Sequence, residues 1–176
     1  MYYLDYWYVL FVKTGREKQA AEDIRKAFNE GEIKPFIPYG ERFFKKEKQK
    51  HPMFPGYLFI ETAIPNEEFQ SRSLKFIWRS KNITKLLTYS DSDQAAVSDE
   101  ERKMLQSLWV NKNRGIDASK GIIEGDRVII TEGSLVGMET MIKKIDRHKM
   151  RAEVEVPFFG KPNIVAVGLD IIRKVS

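Results

Sequence analysis

The stretch that decides the fold of the N-terminal half is Trp7-Tyr8-Val9-Leu10-Phe11-Val12, a continuous apolar run rich in aromatic and β-branched residues. Such a run, ended by Lys13-Thr14-Gly15, predicts a buried central strand closed by a turn. Beyond the turn, between residues 16 and 28, the apolar period changes from that of a strand to that of a helix. The residues that share one helical face are Ala20, Ala21, Ile24, Ala27 and Phe28. We therefore expect a central strand followed by an amphipathic helix.

Further elements of both kinds follow along the chain. Residues 33–44 read as extended but are limited by two prolines to an edge or an irregular path, and residues 53–61 read as a Pro-Gly bend entering a second buried strand. Helix starts are predicted at Pro65 and, from a capping-box pattern, at Ser98. This order predicts an α+β N-terminal domain, residues 1–110, in which helices flank an antiparallel sheet.

The composition changes near residue 111. Residues 111–120 are polar and poor in apolar side chains, which predicts a linker. Residues 121–176 contain short β-rich runs punctuated by glycines. Short strands at close spacing predict a small all-β barrel of the SH3-like type.

The composition also excludes several classes of function. The chain has no cysteine and two histidines, so disulfides, thiolate zinc sites and cysteine nucleophiles are excluded. No catalytic motif, cofactor loop or metal-ligand spacing is visible, and we expect a binding protein with no cofactor and no bound metal rather than an enzyme. We also expect a monomer, and a cytoplasmic one because a chain without cysteine suits a reducing compartment. We expect no membrane contact, because no apolar run is long enough to span a bilayer. A net charge of +5 fits an anionic partner.

Two motifs carry a resemblance to a known family. Residues 125–133, followed by Gly137, resemble the KOW motif, which binds RNA or protein in small barrels. Residues 7–9, a helix, and then Phe54-Pro55-Gly56-Tyr57-Leu58-Phe59 look like the N-terminal domain of the NusG family of transcription elongation factors. The resemblance runs from about Trp7 to Val175 and has the domain order of that family.

The resemblance implies that the N-terminal domain binds RNA polymerase at the clamp helices of its β′ subunit. The aromatic residues that it assigns to this contact are Tyr8, Phe11, Phe54, Tyr57 and Phe59. An aromatic patch with a polar rim suits such docking. The alternative is that these rings fill the core between the sheet and its helices.

Three basic regions are candidates for nucleic-acid binding. In specialised relatives the end of the first strand reads non-template DNA, and the residues here are Lys13, Arg16 and Gln19, which equally fit a solvated helix face. The lysines at 45, 46, 48 and 50 fit either a grip on upstream DNA or a charged hairpin tip. The third region is a basic turn in the barrel, formed by Lys143, Lys144, Arg147, His148, Lys149 and Arg151. Its cations suit RNA phosphates, and a solvated turn is the alternative.

Departures from the general family pattern point to a subfamily. Gly133-Ser134-Leu135 replaces the usual Gly-Pro-Phe, which argues against docking of ribosomal protein S10 or of Rho. The chain is most similar to LoaP, and that resemblance implies a processive antiterminator whose KOW domain binds an RNA hairpin of the leader transcript. A general NusG-like pausing factor and an RfaH-like reader of DNA remain the alternatives.

Overall fold

The structure is a computed structural model that describes residues 6–109 and 114–176. Its helices and strands begin with β1 (Tyr6–Val12), α1 (Glu17–Arg25), β2 (Ile33–Phe36), β3 (Tyr39–Phe44), β4 (Glu47–Pro52), β5 (Tyr57–Thr62), α2 (Asn66–Arg79), β6 (Ile83–Leu86) and α3 (Asp99–Leu108). They continue with β7 (Gly115–Ile116), β8 (Ser119–Glu124), β9 (Arg127–Glu132), a 3-10 turn (Glu139–Met141), β10 (Ile142–Asp146), β11 (Arg151–Phe158) and β12 (Lys161–Val175).

The described residues group into two compact units. Unit 1 contains residues 6–37 and 55–102, and unit 2 contains residues 38–54 together with the described residues from 103 to 176. Among the described residues, no helix combines the length and the apolar composition that a membrane span requires.

Unit 1 is built around an antiparallel sheet with the strand order β2-β5-β1-β6. β1 is central, and its residue Leu10 pairs with Leu58 of β5 and with Leu86 of β6. The helix-facing side of this sheet is apolar and packs into one core with residues of α1 and α2, such as Ile24 and Phe69. The α+β class predicted for this half is confirmed, because β1 buries apolar side chains on successive positions, as a central strand must.

The ends of the helices follow local hydrogen bonding. α1 ends at Arg25 rather than near Phe28, because the next amide groups donate to carbonyls three residues back and tighten the chain into a turn. α2 starts after Pro65 as predicted and runs to Arg79. The predicted cap at Ser98 is confirmed: its hydroxyl accepts a hydrogen bond from the Glu101 amide at 3.2 Å.

Unit 2 is rich in β-structure, as the sequence predicts. Its larger sheet has the order β10-β11-β12-β8-β9, and its smaller sheet has the order β4-β3-β7. The long strand β12 pairs antiparallel with β11 up to Gly168 and parallel with β8 from Leu169 onward. Closure of these strands into an SH3-like barrel stays a prediction.

The region predicted as a linker, residues 111–120, is described from Arg114 onward; residues 111–113 lie outside the described chain. There, Gly115–Ile116 forms β7, which pairs in parallel with Tyr39 and Gly40 of β3. The Ile116 side chain is buried. This pairing, with contacts between β3 and β12, groups residues 38–54 with the C-terminal part. The predicted boundaries at 110 and 121 stay a prediction about the folding units.

Candidate functional site

Phe11 and Tyr57 form an aromatic pair in unit 1 that is partly accessible to solvent. These residues face each other across β1 and β5, and their ring centroids lie 5.3 Å apart at an angle of 44°. Both side chains are half-buried. Lys85 of β6 pairs with Phe11 from the other side, so a cation borders the pair. The two rings thus combine accessible apolar surface with a polar rim.

The other predicted polymerase-contacting rings are buried, which narrows the predicted set. Tyr8 stacks on Phe69 at 3.9 Å, and its hydroxyl donates a hydrogen bond to the Ile64 carbonyl at 2.7 Å. Burial raises the pKa of the Tyr8 phenol well above its usual range. Tyr8 and Phe11 lie on opposite faces of β1, because side chains alternate along a strand. One flat docking surface therefore cannot hold both.

Phe59 and Phe54 are likewise enclosed by other rings. Phe59 shows no exposed surface and lies between Trp7 and Phe36, with centroid distances of 6.3 and 5.4 Å. Phe54 is 4% exposed and stacks on Phe158 at 4.7 Å within unit 2. All three rings are buried, but of the three Tyr8 is the one in the core between the sheet and its helices.

The candidate DNA-contacting residues of unit 1 all face solvent. Lys13 follows β1, Arg16 immediately precedes α1, and Gln19 lies on the outer side of α1; all three are exposed. The Lys13 amide donates to the Asn82 carbonyl at 2.9 Å, which fixes the backbone here while its side chain stays exposed. All three lie within positions 13–19 of the chain.

The predicted basic turn joins β10 to β11. Lys143, Lys144, Arg147, His148 and Lys149 are exposed, and Arg151 is half-buried. Lys143 forms an ion pair with Glu155 at 3.5 Å. The Asp146 carboxylate accepts a hydrogen bond from the Lys149 amide at 2.9 Å, and this bond lowers the pKa of Asp146. The turn is therefore held by a bond from a backbone amide to a side-chain carboxylate, while its cations from Arg147 to Lys149 are exposed.

The same turn forms one wall of a groove in unit 2, and the β3–β4 hairpin forms the other. The groove has a volume of about 740 Å³. Its lining residues are Arg42, Phe43, Phe44, Lys45, Lys46, Gln49, His51, His148, Lys149, Met150 and Arg151. Burial, and then the positive charge of Arg151, lower the pKa of Arg42. The groove thus brings together two basic regions that are about a hundred residues apart in sequence.

The sequence singles out Lys45 and Lys46, and separately Lys149 and Arg151, but not Arg42 or Phe44. The pairing of β3 with β4 places Arg42 opposite Gln49, so the two side chains share a face of the hairpin. An exposed ring at Phe44 beside the lysines is the local signal for a nucleic-acid surface. The other wall depends on long-range packing, which no local pattern shows. Elsewhere, the described residues hold no cluster of histidine and carboxylate groups suited to a metal ion.

A half-exposed aromatic pair and a basic groove, on two units without a metal cluster among the described residues, are features of a binding protein. The family comparison agrees: residues 5–106 match the family model described as "Transcription termination factor nusG". The chain therefore belongs to the NusG family, whose members are transcription termination and antitermination factors and not enzymes. Factors of this family bind RNA polymerase in general.

Curated relatives cover almost the full length of the chain. The chain is 28% identical to the transcription termination/antitermination protein NusG of Borreliella burgdorferi, over 96% of this chain and 98% of that protein. It is 24% identical to the NusG of Thermus thermophilus, over 96% and 97%. With the NusG of Treponema pallidum the identity is 22%, over 93% and 95%. The likeness therefore extends into unit 2, beyond the part matched by the family model.

Proposed function

We propose that this chain is a specialised NusG-family elongation factor that acts as a processive antiterminator. In this proposal the N-terminal domain binds RNA polymerase, and the C-terminal KOW domain binds an RNA hairpin of the leader transcript. The observation that carries the RNA half is the exposed β10–β11 turn with its cations. A cluster of exposed cations on a short turn attracts phosphates.

The polymerase half of the proposal rests on Phe11 and Tyr57. A surface that docks onto the clamp helices of β′ must be apolar, accessible to solvent and rigid. The half-buried ring pair on two adjacent strands has both properties. The Pro55-Gly56 bend supports it, because the amide of Val12 donates to the Gly56 carbonyl at 2.8 Å. The proposal therefore assigns the clamp contact to this pair rather than to all five rings.

Replacing Tyr57 tests the polymerase half. We expect Tyr57→Ala to weaken binding to RNA polymerase by about tenfold or more, since truncating a central aromatic anchor costs about 1–2 kcal/mol or more. The measurement is the dissociation constant for the core enzyme. Trp78→Ala is the matched control, because Trp78 is an 81% exposed ring of the same unit. Equal losses in both variants, or no loss in Tyr57→Ala, would contradict the assignment.

Removing two cations from the basic turn tests the RNA half. We expect Arg147→Ala with Lys149→Ala to weaken binding to leader hairpin RNA by about tenfold. The slope of log affinity against log salt concentration (the salt slope) should become shallower by about one for each cation lost. Lys161→Ala with Lys174→Ala is the control, because both of these lysines are exposed in unit 2 outside the turn. The readouts are hairpin affinity across salt concentrations and transcription through a terminator with and without the leader.

Equal wild-type affinity for the hairpin and for a scrambled RNA would contradict specific hairpin binding. Loss of read-through in the turn variant, with polymerase binding intact, supports the proposal. Read-through that does not depend on the leader RNA would instead favour the general elongation factor.

Reading of DNA in the manner of RfaH is the second candidate, favoured by the exposure of Lys13, Arg16 and Gln19. Coupling to ribosomal protein S10 or to Rho has less support in this chain. Leu135 is fully buried, and Phe158 and Phe159 are each 7% exposed. The Ser134 hydroxyl accepts a hydrogen bond from the Asp117 amide at 2.7 Å, so it also serves the internal structure. These apolar residues have little surface left for docking.

A further inference from the structure

The groove of unit 2 has the charge of an anion site. Its lining includes five cationic side chains and two histidines, and no lining residue is an acid. Two acids adjoin it: Asp146 accepts a hydrogen bond from the Lys149 amide and lies opposite Arg151 across β10 and β11, and Glu47 is exposed opposite Phe44 on the hairpin. Among the described residues, neither Arg42 nor Arg151 lies within ion-pair distance of a carboxylate. Like charges held together in a partly buried groove favour an anionic ligand.

The tip of the β3–β4 hairpin has two lysines at positions where the turn conformation favours other residues. Phe44 pairs with Glu47, so Lys45 and Lys46 form a two-residue turn. Both have positive φ, 48° and 66°. Turns with positive φ at both central residues favour Asn-Gly, and a side chain in this region costs about 1 kcal/mol per residue. Lysines at such a tip indicate that their charge matters more than the stability of the turn.

Phe44 gives the groove a second kind of contact. Its ring is 56% exposed, whereas the neighbouring Phe43 packs near Gly168 of β12, where an added Cβ would lie 3.2 Å from the Phe43 ring. Phe43 thus anchors the hairpin while Phe44 is displayed. The Lys45 ammonium lies 5.5 Å from the centre of the Phe44 ring. An exposed ring bordered by cations is a stacking platform for an unpaired nucleobase.

We propose that this groove binds a single-stranded RNA segment, an inference that rests on the proposed RNA-binding function. An unpaired base stacks on Phe44, and the phosphates are held by Arg42, Arg151 and the lysines of both walls. The volume of about 740 Å³ lies within the range of about 300–1,000 Å³ that holds a drug-sized ligand, which suits one or two nucleotides rather than a duplex. A paired stem offers no free base to Phe44, so the segment recognised is the loop or a flank of the hairpin.

The most discriminating variant is at the hairpin tip, because it should raise the stability of the protein and lower its affinity for RNA. Lys45→Asn with Lys46→Gly gives the turn its preferred residues and removes two charges. We expect the full-length variant to melt a few degrees higher and to bind an oligouridylate of about ten nucleotides roughly tenfold more weakly. Reduced binding by a more stable protein excludes unfolding as its cause. A variant that is more stable and binds as tightly as the wild type would overturn the proposal.

Phe44→Leu separates stacking from charge. We expect it to weaken oligouridylate binding about tenfold at every salt concentration, leaving the salt slope unchanged, because no cation is lost. Affinity for a blunt RNA duplex stays the same. Lys161→Ala is the control outside the groove. Unchanged oligouridylate binding by Phe44→Leu would overturn the stacking contact.

Further probes identify the ligand class and keep this proposal distinct from the proposed function. An oligothymidylate of the same length that binds as tightly as the RNA would overturn the RNA assignment, and an oligoglutamate of equal charge that does so would reduce the groove to a general anion surface. If Arg147→Ala, which lies outside the groove lining, loses hairpin binding while Phe44→Leu and Lys45→Asn with Lys46→Gly bind oligouridylate as the wild type does, the groove proposal is overturned and the proposed function stands. If the wild type binds oligouridylate but shows no preference for the hairpin, the groove stands and the proposed function fails.

Discussion

Two hairpins of unit 2 are closed by two-residue turns of opposite character. Gly125 and Asp126 join β8 to β9, and only the glycine has positive φ, at 58°. Lys45 and Lys46 join β3 to β4, and both are in the left-handed region. At Gly125 the residue matches the backbone, since a glycine adopts positive φ without steric cost. At the lysine turn the side chains oppose the backbone conformation that they occupy.

The difference shows where the chain gives up local stability. A turn that only connects strands is free to use the residue that suits its backbone, as Gly125 does. A turn that retains two lysines at positive φ has another requirement, and here it lies at the mouth of a basic groove. Disagreement between local preference and structure is expected at functional positions. Substitutions at turns that differ in crowding and in side-chain bonds measure how much positive φ lowers the free energy of unfolding in this unit.

The largest effect is expected at Gly133, where positive φ coincides with close packing. An added Cβ would lie 2.5 Å from the Ala118 carbonyl oxygen and 2.6 Å from the Ser119 Cα, and φ is 101°. We expect Gly133→Ala to lower the free energy of unfolding by about 3–5 kcal/mol, which combines backbone strain with overpacking. Chemical denaturation of the purified protein measures this loss.

Gly137 provides the matched control for that substitution. Its φ is 78°, yet an added Cβ would meet no atom within 4 Å. Gly137→Ala should therefore cost about 1 kcal/mol, the price of positive φ alone. Similar losses at Gly133 and Gly137 would show that crowding is unimportant, and the estimate of strain in the lysine turn would then need to rise.

Local patterns were sufficient to predict the elements that form one at a time. The apolar run at residues 7–12 predicted β1, the change of period predicted α1, and the capping box predicted the start of α3. Long-range pairing was not predictable in this way. β7 has two residues, and only its pairing with β3 makes it a strand. The grouping of residues 38–54 with unit 2 depends on the same kind of contact.

The candidate sites divide in the same manner. Strand alternation alone places Tyr8 and Phe11 on opposite faces of β1, but which face is covered depends on the helices that pack there. The basic turn at residues 143–151 was visible as a run of cations. Its neighbour Arg42 was not, because the groove joins two hairpins that are distant in sequence. Sequence reasoning therefore found the cations of both walls but treated them as separate regions, with the lysines at 45–50 fitting upstream DNA or a charged hairpin tip.

The smallest effect is expected at the third turn, between β10 and β11, where a side chain supports the positive φ. Met150 has φ of 52°, and the Asp146 carboxylate accepts a hydrogen bond from the Lys149 amide beside it. This bond lowers the pKa of Asp146 in the folded protein, so the folded state favours the ionised carboxylate. The resulting stability is complete above the unfolded pKa of about 4 and is lost as pH falls through the lower folded value.

We therefore expect Asp146→Ala to unfold at a slightly lower denaturant concentration than the wild type at about pH 6, and the gap to close as pH falls below about 4. Asp146→Asn is the control, because its amide oxygen can still accept the Lys149 bond but has no charge to titrate. Its midpoint should lie between the other two at about pH 6, and its own contribution should not change in acid. A gap between wild type and Asp146→Ala that is independent of pH would mean that the ionised carboxylate does not stabilise this turn.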